Sequence, residues 1–146
     1  MHINHWIDGR ICDQPEARRS PVYDPATGEI TGSVALATRE VVDRAVASAQ
    51  RAFAPWAATS PLHRARVMFR YKQLIEDNHD RLAECITREH GKVFTDARGE
   101  VLRGLEVVEY ACGIPEVLKG QYTEQIASGI DAWTTRQPIG VCAGIT

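Results

Sequence analysis

The chain has 146 residues, of which 44% are hydrophobic and 25% are charged, and its formal net charge is −2. This length can support one ordinary domain with a core of its own, and the balanced composition argues against intrinsic disorder. Basic residues do not form a stripe interleaved with aromatic residues, so nucleic acid is not expected as a main partner.

Residues 1–37 are predicted to form short strands joined by turns. Asp8-Gly9 stands between two short apolar runs, and this dipeptide is a strong signal for a β-hairpin. Residues 21–23 and 30–35 flank a second turn segment, residues 24–29, which contains both proline and glycine. Proline fixes one turn dihedral and glycine supplies a positive φ, so a second hairpin is predicted there.

Residues 38–113 are predicted to form a body of four helices. The first runs from an N-cap at Thr38 to about Ala54. The second begins at Ser60-Pro61, because a capping serine followed by proline at the first helical position is a clear start signal. Both helices carry apolar residues at helical spacing. The side chains expected to face the core are Val42, Ala45, Val46, Ala49 and Phe53 in the first helix, and Leu62, Ala65, Met68, Phe69 and Ile75 in the second.

A break at Asn78-His79 separates a third, shorter helix, which is predicted to end at Gly91. A fourth helix begins near Thr95 or Asp96. The expected buried positions are Leu82, Cys85 and Ile86 in the third helix, and Val101, Leu105, Val108 and Cys112 in the fourth.

Beyond Gly113 the pattern changes to strands. Ser128-Gly129 lies between two strand-like runs within residues 121–136, which predicts a hairpin whose exposed edges pair with another subunit. Residues 138–146 contain a short apolar run with two glycines, which favours a buried strand of a parallel α/β sheet over a helix. Because no crossover helix or neighbouring strand follows, we expect the chain to be part of a longer α/β protein.

The amino terminus and the cysteines favour a cytoplasmic protein. The first residues lack the basic region and apolar core of a signal peptide, and no stretch approaches the roughly 20 apolar residues of a membrane span. The four cysteines are widely spaced and form no C-x-x-C pair, which is typical of reduced thiols.

Most candidate chemistry has a structural explanation. Gly91-Lys92 lacks the other residues of a phosphate loop, so a helix C-cap is favoured. His2 and His5 have no further partners at zinc-site spacing, and no metal site is predicted. Cys112 and Cys142 lie in apolar runs without a local base, so buried, inert thiols are favoured over nucleophiles.

Arg103 is the strongest candidate functional residue. It lies on the fourth helix beside Gly104, and Gly99 interrupts the same helix. A glycine inside a helix permits close backbone approach by another group, although it weakens the helix. Spacing alone favours an ion pair of Arg103 with Glu100 or Glu106, each three residues away.

Several segments resemble the amino-terminal part of NAD(P)-dependent aldehyde dehydrogenases. These segments are Asp24-Pro25-Ala26-Thr27-Gly28-Glu29, Ala52-Phe53-x-x-Trp56, Glu89-His90-Gly91-Lys92, Asp96-Ala97-x-Gly99-Glu100-Val101 and Pro138-Ile139-Gly140-Val141. Glu89 to Lys92, together with residues 103–109 and 137–146, is similar to the CoA-acylating methylmalonate-semialdehyde dehydrogenases. The resemblance implies an α/β fold with amino-terminal hairpins, about four helices, an oligomerisation hairpin and the first strand of an incomplete Rossmann-like domain.

The resemblance also implies site residues and cofactors. In the family, the residue that matches Arg103 helps to hold the substrate carboxylate. For Arg103, the resemblance therefore favours substrate binding and the ion pair equally. Ile145 and Thr146 match a strand end beside the dinucleotide. NAD, with NADP left open, and coenzyme A are the implied cofactor and co-substrate, no metal is implied, and the nucleophilic cysteine is expected beyond Thr146.

Function and assembly follow from the same resemblance. The expected reaction of the parent enzyme is conversion of methylmalonate or malonate semialdehyde, CoA and NAD to an acyl-CoA and NADH, in valine or inositol breakdown, by a homo-oligomer, expected to be a homotetramer. The 146 residues alone are expected to be inactive. Another aldehyde dehydrogenase specificity and a non-catalytic interaction module remain the alternatives.

Overall fold

The computed structural model describes residues 1–146. Five strands come first, four long helices and one short helix follow, and a hairpin comes last. The mixed α/β class and the order of strands, four helices and hairpin are as predicted, whereas the short helix was not predicted. The strands are β1 (His2–Ile3), β2 (His5–Ile7), β3 (Arg10–Cys12), β4 (Arg19–Tyr23), β5 (Ile30–Ala35), β6 (Tyr122–Ala127) and β7 (Ile130–Trp133). The helices are α1 (Arg39–Ala58), α2 (Pro61–Asp77), α3 (His79–His90), α4 (Phe94–Cys112) and α5 (Ile114–Val117).

The amino-terminal strands form the two predicted hairpins. β2 pairs antiparallel with β3, and the turn between them has φ values of 57° at Asp8 and 73° at Gly9. Two successive positive φ values are what a two-residue hairpin turn with the correct twist requires. In the second hairpin the Asp24 carboxylate accepts a hydrogen bond from the Ala26 amide at 2.8 Å, which stabilises the turn between β4 and β5.

β1 adds a pairing that the local sequence pattern does not reveal. It runs parallel to β5, with His2 opposite Ser33 and Ile3 opposite Val34, so the sheet order is β1-β5-β4. Residues about 30 positions apart meet here, and only tertiary folding brings such positions together.

The helical body is organised around α4, against which α2 and α3 both pack. Ser60 caps α2 by accepting a hydrogen bond from the His63 amide at 3.4 Å, and Gly91 ends α3 in the left-handed region at φ 79°. Both helix boundaries are as predicted. The core cluster consists of Ala83, Ala97 and Val101, flanked by the partly buried Ile75 and Ile86.

The buried faces of α1 and α3 differ from those that the apolar periodicity predicts. In α1, Val41 is 3% exposed, whereas Val42 and Val46 of the predicted stripe are 51% and 42% exposed. In α3 the fully buried residue is Ala83, and Leu82 and Cys85 are exposed. Close helix packing selects small side chains at the contact. Periodicity identifies an apolar face but not the element that covers it.

α2 and α4 follow the predictions in part. Ala65 is buried and Met68 and Ile75 are half-buried, while Leu62 and Phe69 are exposed. In α4 the buried set includes Val101, Leu105 and Cys112, as predicted, and also Ala97. Only 8 of the 146 residues are buried, so much apolar surface stays open to contact with other protein.

The segment that follows β7 differs from the predicted strand. Residues 134–146 have no regular secondary structure, and Ile139 is 98% exposed. Cys142, which was expected to be buried in this strand, is exposed as well. A parallel strand needs hydrogen bonds from a neighbouring strand, and none of the seven strands pairs with this segment.

Candidate functional site

The Arg103 guanidinium lies on the open surface of α4. The side chain is 69% exposed, and its Nη2 atom is 3.9 Å from Oε1 of Glu100. This distance is too long for a hydrogen bond, and the guanidinium donates none to any other residue. The ion pair with Glu100 that spacing favours is therefore present but weak, and the donors of Arg103 remain available.

Glu100 is bound more closely by Lys92, which follows the end of α3. Lys92 donates a hydrogen bond from Nζ to Oε1 of Glu100. This hydrogen bond lowers the pKa of Glu100 below its ordinary value, and the nearby charges of Lys92, Arg103 and His90 act in the same direction. Glu100 is thus a carboxylate whose main partner is Lys92, which ties the end of α3 to α4.

Lys92 thus has a structural role. In a phosphate loop, the corresponding lysine would contact the phosphate groups of a ligand. The Gly91 amide donates to the Thr87 carbonyl at 2.8 Å, which completes the C-terminal cap of α3. The helix-cap interpretation of Gly91-Lys92 agrees with this geometry.

The surface beside Arg103 is open at both glycines of α4. A Cβ atom placed on Gly99 or on Gly104 would meet no atom within 4 Å. The described residues therefore supply no group that uses the close approach these glycines permit. Gly104 also borders an apolar groove of about 320 Å³ between α2, α3 and α4, lined by side chains that include Tyr71, Ile86 and Val108. The sequence analysis did not predict this groove, and the one signal for it is Gly104, which directly precedes Leu105 of the predicted buried stripe.

Ile145 and Thr146, the predicted cofactor residues, are exposed at the end of the segment without regular secondary structure. The preceding residues 140–143 lie beside Val46 and Phe53 of α1, where they border a cleft of about 510 Å³. The chain contains no G-x-G-x-x-G turn that opens a helix, which is the usual cradle for a pyrophosphate. The described residues alone do not fit a dinucleotide, and neither Arg103 nor Ile145 nor Thr146 lines any of the five main clefts of the structure.

The other reactive side chains form no catalytic constellation. Cys112 is buried in α4, as predicted, while Cys85 and Cys142 are exposed. Nδ1 of His2 is 2.9 Å from Oγ of Ser33. No group of three or more His, Cys, Asp or Glu side chains is placed to hold a metal ion, and none of the helices has the length and apolarity to cross a membrane.

The β6–β7 hairpin is present where the sequence predicts it. Tyr122 lies opposite Trp133 and Ala127 opposite Ile130. The carboxylate of Asp131 accepts hydrogen bonds from the Tyr122 hydroxyl at 2.7 Å and from the Gln125 amide at 2.8 Å, and these bonds hold an irregularity in β6. Every residue of the hairpin strands except Ala132 is exposed, including four large apolar side chains, so the hairpin offers a free apolar surface.

Comparisons with known proteins add a family assignment to this geometry. The family model described as the aldehyde dehydrogenase family matches residues 12–146. The malonate-semialdehyde dehydrogenase of Pseudomonas aeruginosa is 45% identical over 144 residues, which cover 99% of this chain and 29% of that protein.

Two solved structures from Sinorhizobium meliloti match at different levels. One, a candidate methylmalonate-semialdehyde dehydrogenase in complex with NAD, is 46% identical with a TM-score of 0.90, over 96% of this chain and 28% of that one. The other, an NAD-dependent aldehyde dehydrogenase, is 30% identical with a TM-score of 0.84, over 94% of this chain and 28% of that one. The chain thus spans less than a third of the length of these relatives.

Proposed function

The chain belongs to the aldehyde dehydrogenase family, and we propose that its residues form the amino-terminal part of a CoA-acylating malonate- or methylmalonate-semialdehyde dehydrogenase. In this proposal the whole enzyme converts the semialdehyde, CoA and NAD to an acyl-CoA and NADH. In this proposal the nucleophilic cysteine and the dinucleotide cradle belong to residues beyond Thr146, because none of the four cysteines is paired with a general base and the described residues do not fit a dinucleotide by themselves.

The observation that carries the substrate assignment is the difference in identity among relatives. Two semialdehyde dehydrogenases with an acidic substrate are 45% and 46% identical to this chain. The relative that is described only as an NAD-dependent aldehyde dehydrogenase is 30% identical over a similar share of the chain. The higher identity extends over nearly all 146 residues, which supports the semialdehyde specificity over another aldehyde specificity.

Arg103 supplies the chemistry that this specificity needs. A semialdehyde of this class carries a carboxylate, and the planar guanidinium group can donate two parallel hydrogen bonds to it. Arg103 is exposed and forms only a long contact with Glu100, while Glu100 is bound by Lys92. This arrangement supports binding of a substrate carboxylate over a purely structural ion pair.

A relative solved with NAD supports the cofactor assignment, and the exposed β6–β7 hairpin supports the proposed assembly. The methylmalonate-semialdehyde relative from Sinorhizobium meliloti was solved with NAD, which supports NAD as the oxidant, with coenzyme A as the acyl acceptor. The β6–β7 hairpin presents exposed apolar side chains, among them Tyr122 and Trp133. Such a surface supports homo-oligomerisation, and we propose that the whole enzyme is a tetramer. We also propose that the protein is cytoplasmic.

The test is an assay of the polypeptide that the coding region encodes when it is read past Thr146. We expect CoA-dependent formation of NADH, with a higher kcat/KM for malonate or methylmalonate semialdehyde than for propionaldehyde. A preference for the uncharged aldehyde would contradict the substrate assignment. A stop codon directly after Thr146 would instead favour a non-catalytic interaction module.

A further inference from the structure

A polar cleft of about 400 Å³ lies between the β2–β3 hairpin and α1, far in sequence from Arg103. Arg44, Ser48 and Arg51 line it from α1, and Arg10 and Cys12 line it from β3. Arg44, Ser48 and Arg51 follow one another at intervals of four and three residues, so they share one face of the helix. The volume of the cleft lies within the usual range of small-molecule sites.

The three arginines of this cleft have no acidic partner. None of them takes part in any of the ion pairs of the structure. Arg44 donates a hydrogen bond from Nη2 to Sγ of Cys12 at 2.9 Å, and the guanidinium groups of Arg10 and Arg51 donate none. Three guanidinium groups around one cleft therefore keep most of their donors available.

Two aspartates also line the cleft, but both carboxylates are engaged by neutral groups. Asp8 accepts a hydrogen bond from the Ser48 hydroxyl at 3.3 Å, and Asp13 accepts one from the Asn4 side-chain amide at 3.2 Å. The three arginines and two aspartates give the cleft one net positive charge, whereas the net charge of the whole chain is −2. The positive charge is thus local and does not reflect a generally basic surface.

We propose that this cleft is a binding site for a small phosphate-bearing anion. Guanidinium groups match phosphate oxygens with paired hydrogen bonds, which lysine cannot do. Arg44 and Arg51 are separated by about two helical turns, so they approach the cleft from two points along α1 while Arg10 approaches from the hairpin.

The first test is calorimetric titration of the 146-residue chain with inorganic pyrophosphate at low ionic strength. We expect saturable binding that weakens about tenfold or more in Arg44→Gln and in Arg51→Gln, because each loses charge-assisted hydrogen bonds. Arg39→Gln is the matched control, since Arg39 lies on the same helix outside the cleft and pairs with Asp43. Circular dichroism verifies that each variant is folded. If Arg44→Gln does not fold, the affinity of Arg51→Gln decides the outcome.

The second test locates the bound anion through the thiol in the cleft. Pyrophosphate should slow alkylation of Cys12 by iodoacetamide and leave the alkylation rate of the exposed Cys142 unchanged, as measured by peptide mass mapping. Absence of saturable binding to the unmodified chain would overturn the proposal. An equal loss of affinity in Arg39→Gln, or an unchanged rate at Cys12 under saturating pyrophosphate, would place any binding outside the cleft and overturn it as well.

Discussion

Gly91 lies directly against Pro25, so that a Cβ atom placed on Gly91 would be 2.9 Å from Cγ of Pro25. Gly91 ends α3, and Pro25 belongs to the turn between β4 and β5. Two sequence motifs that are 66 positions apart are therefore in contact. This contact joins the amino-terminal sheet to the helical body, and it leaves no room for a side chain.

Replacing Gly91 with alanine should destabilise the chain. The residue has φ 79°, a conformation that alanine rarely adopts, and the added methyl group would collide with Pro25. We expect the free energy of unfolding, measured by urea denaturation, to fall by about 1–3 kcal/mol. Gly104→Ala is the control, since Gly104 is helical and has open space around it. That variant should gain about 0.5–1 kcal/mol, and a loss in both variants would contradict the explanation.

Arg103→Ala should change substrate preference in the longer enzyme that we propose. Without the guanidinium group, kcat/KM for methylmalonate semialdehyde should fall by about 10- to 100-fold, while that for propionaldehyde changes little. Arg98→Ala is a suitable control, because Arg98 is exposed on the same helix and pairs with Asp80 at 3.0 Å. Equal losses on the charged and the uncharged aldehyde would contradict a role of Arg103 in binding the carboxylate.

Glu100 should contribute a pH-dependent part of the stability. The hydrogen bond from Lys92 lowers the pKa of Glu100 below its ordinary value of 4.5. Its stabilising effect is therefore complete above the pKa of the unfolded state and is lost as the pH falls through the lower pKa of the folded state. The difference in unfolding free energy between the wild type and Glu100→Gln should shrink between about pH 7 and about pH 2.5. A difference that is the same at both pH values would be inconsistent with this coupling.

Trp133→Glu should weaken self-association. The Trp133 side chain is 70% exposed on the β6–β7 hairpin, and a carboxylate there would have to be buried if the hairpins of two copies met. Sedimentation velocity should show a lower mean mass for this variant. Trp6→Glu is the matched control, because Trp6 is 69% exposed on the separate β2–β3 hairpin. A similar shift for Trp6→Glu would argue against the β6–β7 hairpin as the oligomer contact.

The 146-residue chain by itself should not oxidise aldehydes or bind NAD tightly. It has no cysteine paired with a base and no glycine-rich turn that opens a helix, so neither the nucleophile nor the pyrophosphate cradle is present. The measurement is NADH absorbance with purified chain, semialdehyde, CoA and NAD. Activity that follows the chain through purification would overturn this expectation.

The sequence predicted local structure well at three turns and caps, although the predicted N-cap Thr38 makes no side-chain capping hydrogen bond and α4 begins at Phe94, one or two residues before the predicted start. The Asp8-Gly9 turn, the Ser60 cap and the end of α3 at Gly91 all occur at the predicted positions. Each depends on dihedral angles or hydrogen bonds within a few residues. The role of Arg103 in substrate binding and the cofactor contact of Ile145 and Thr146 stay predictions, because they concern groups that the described residues do not supply.

The sequence by itself determined the order of the hairpins and the four long helices, several of their turns and caps, and the resemblance that led to the family, since these depend on short stretches of neighbouring residues. Only the tertiary structure decided which faces are buried. It placed Val41 and Ala83 in contact with neighbouring elements, left Val42 and Leu82 exposed, and paired β1 with β5. Burial and strand pairing depend on which elements meet in space, and an apolar side chain or a strand edge carries no information about its partner until the chain has folded.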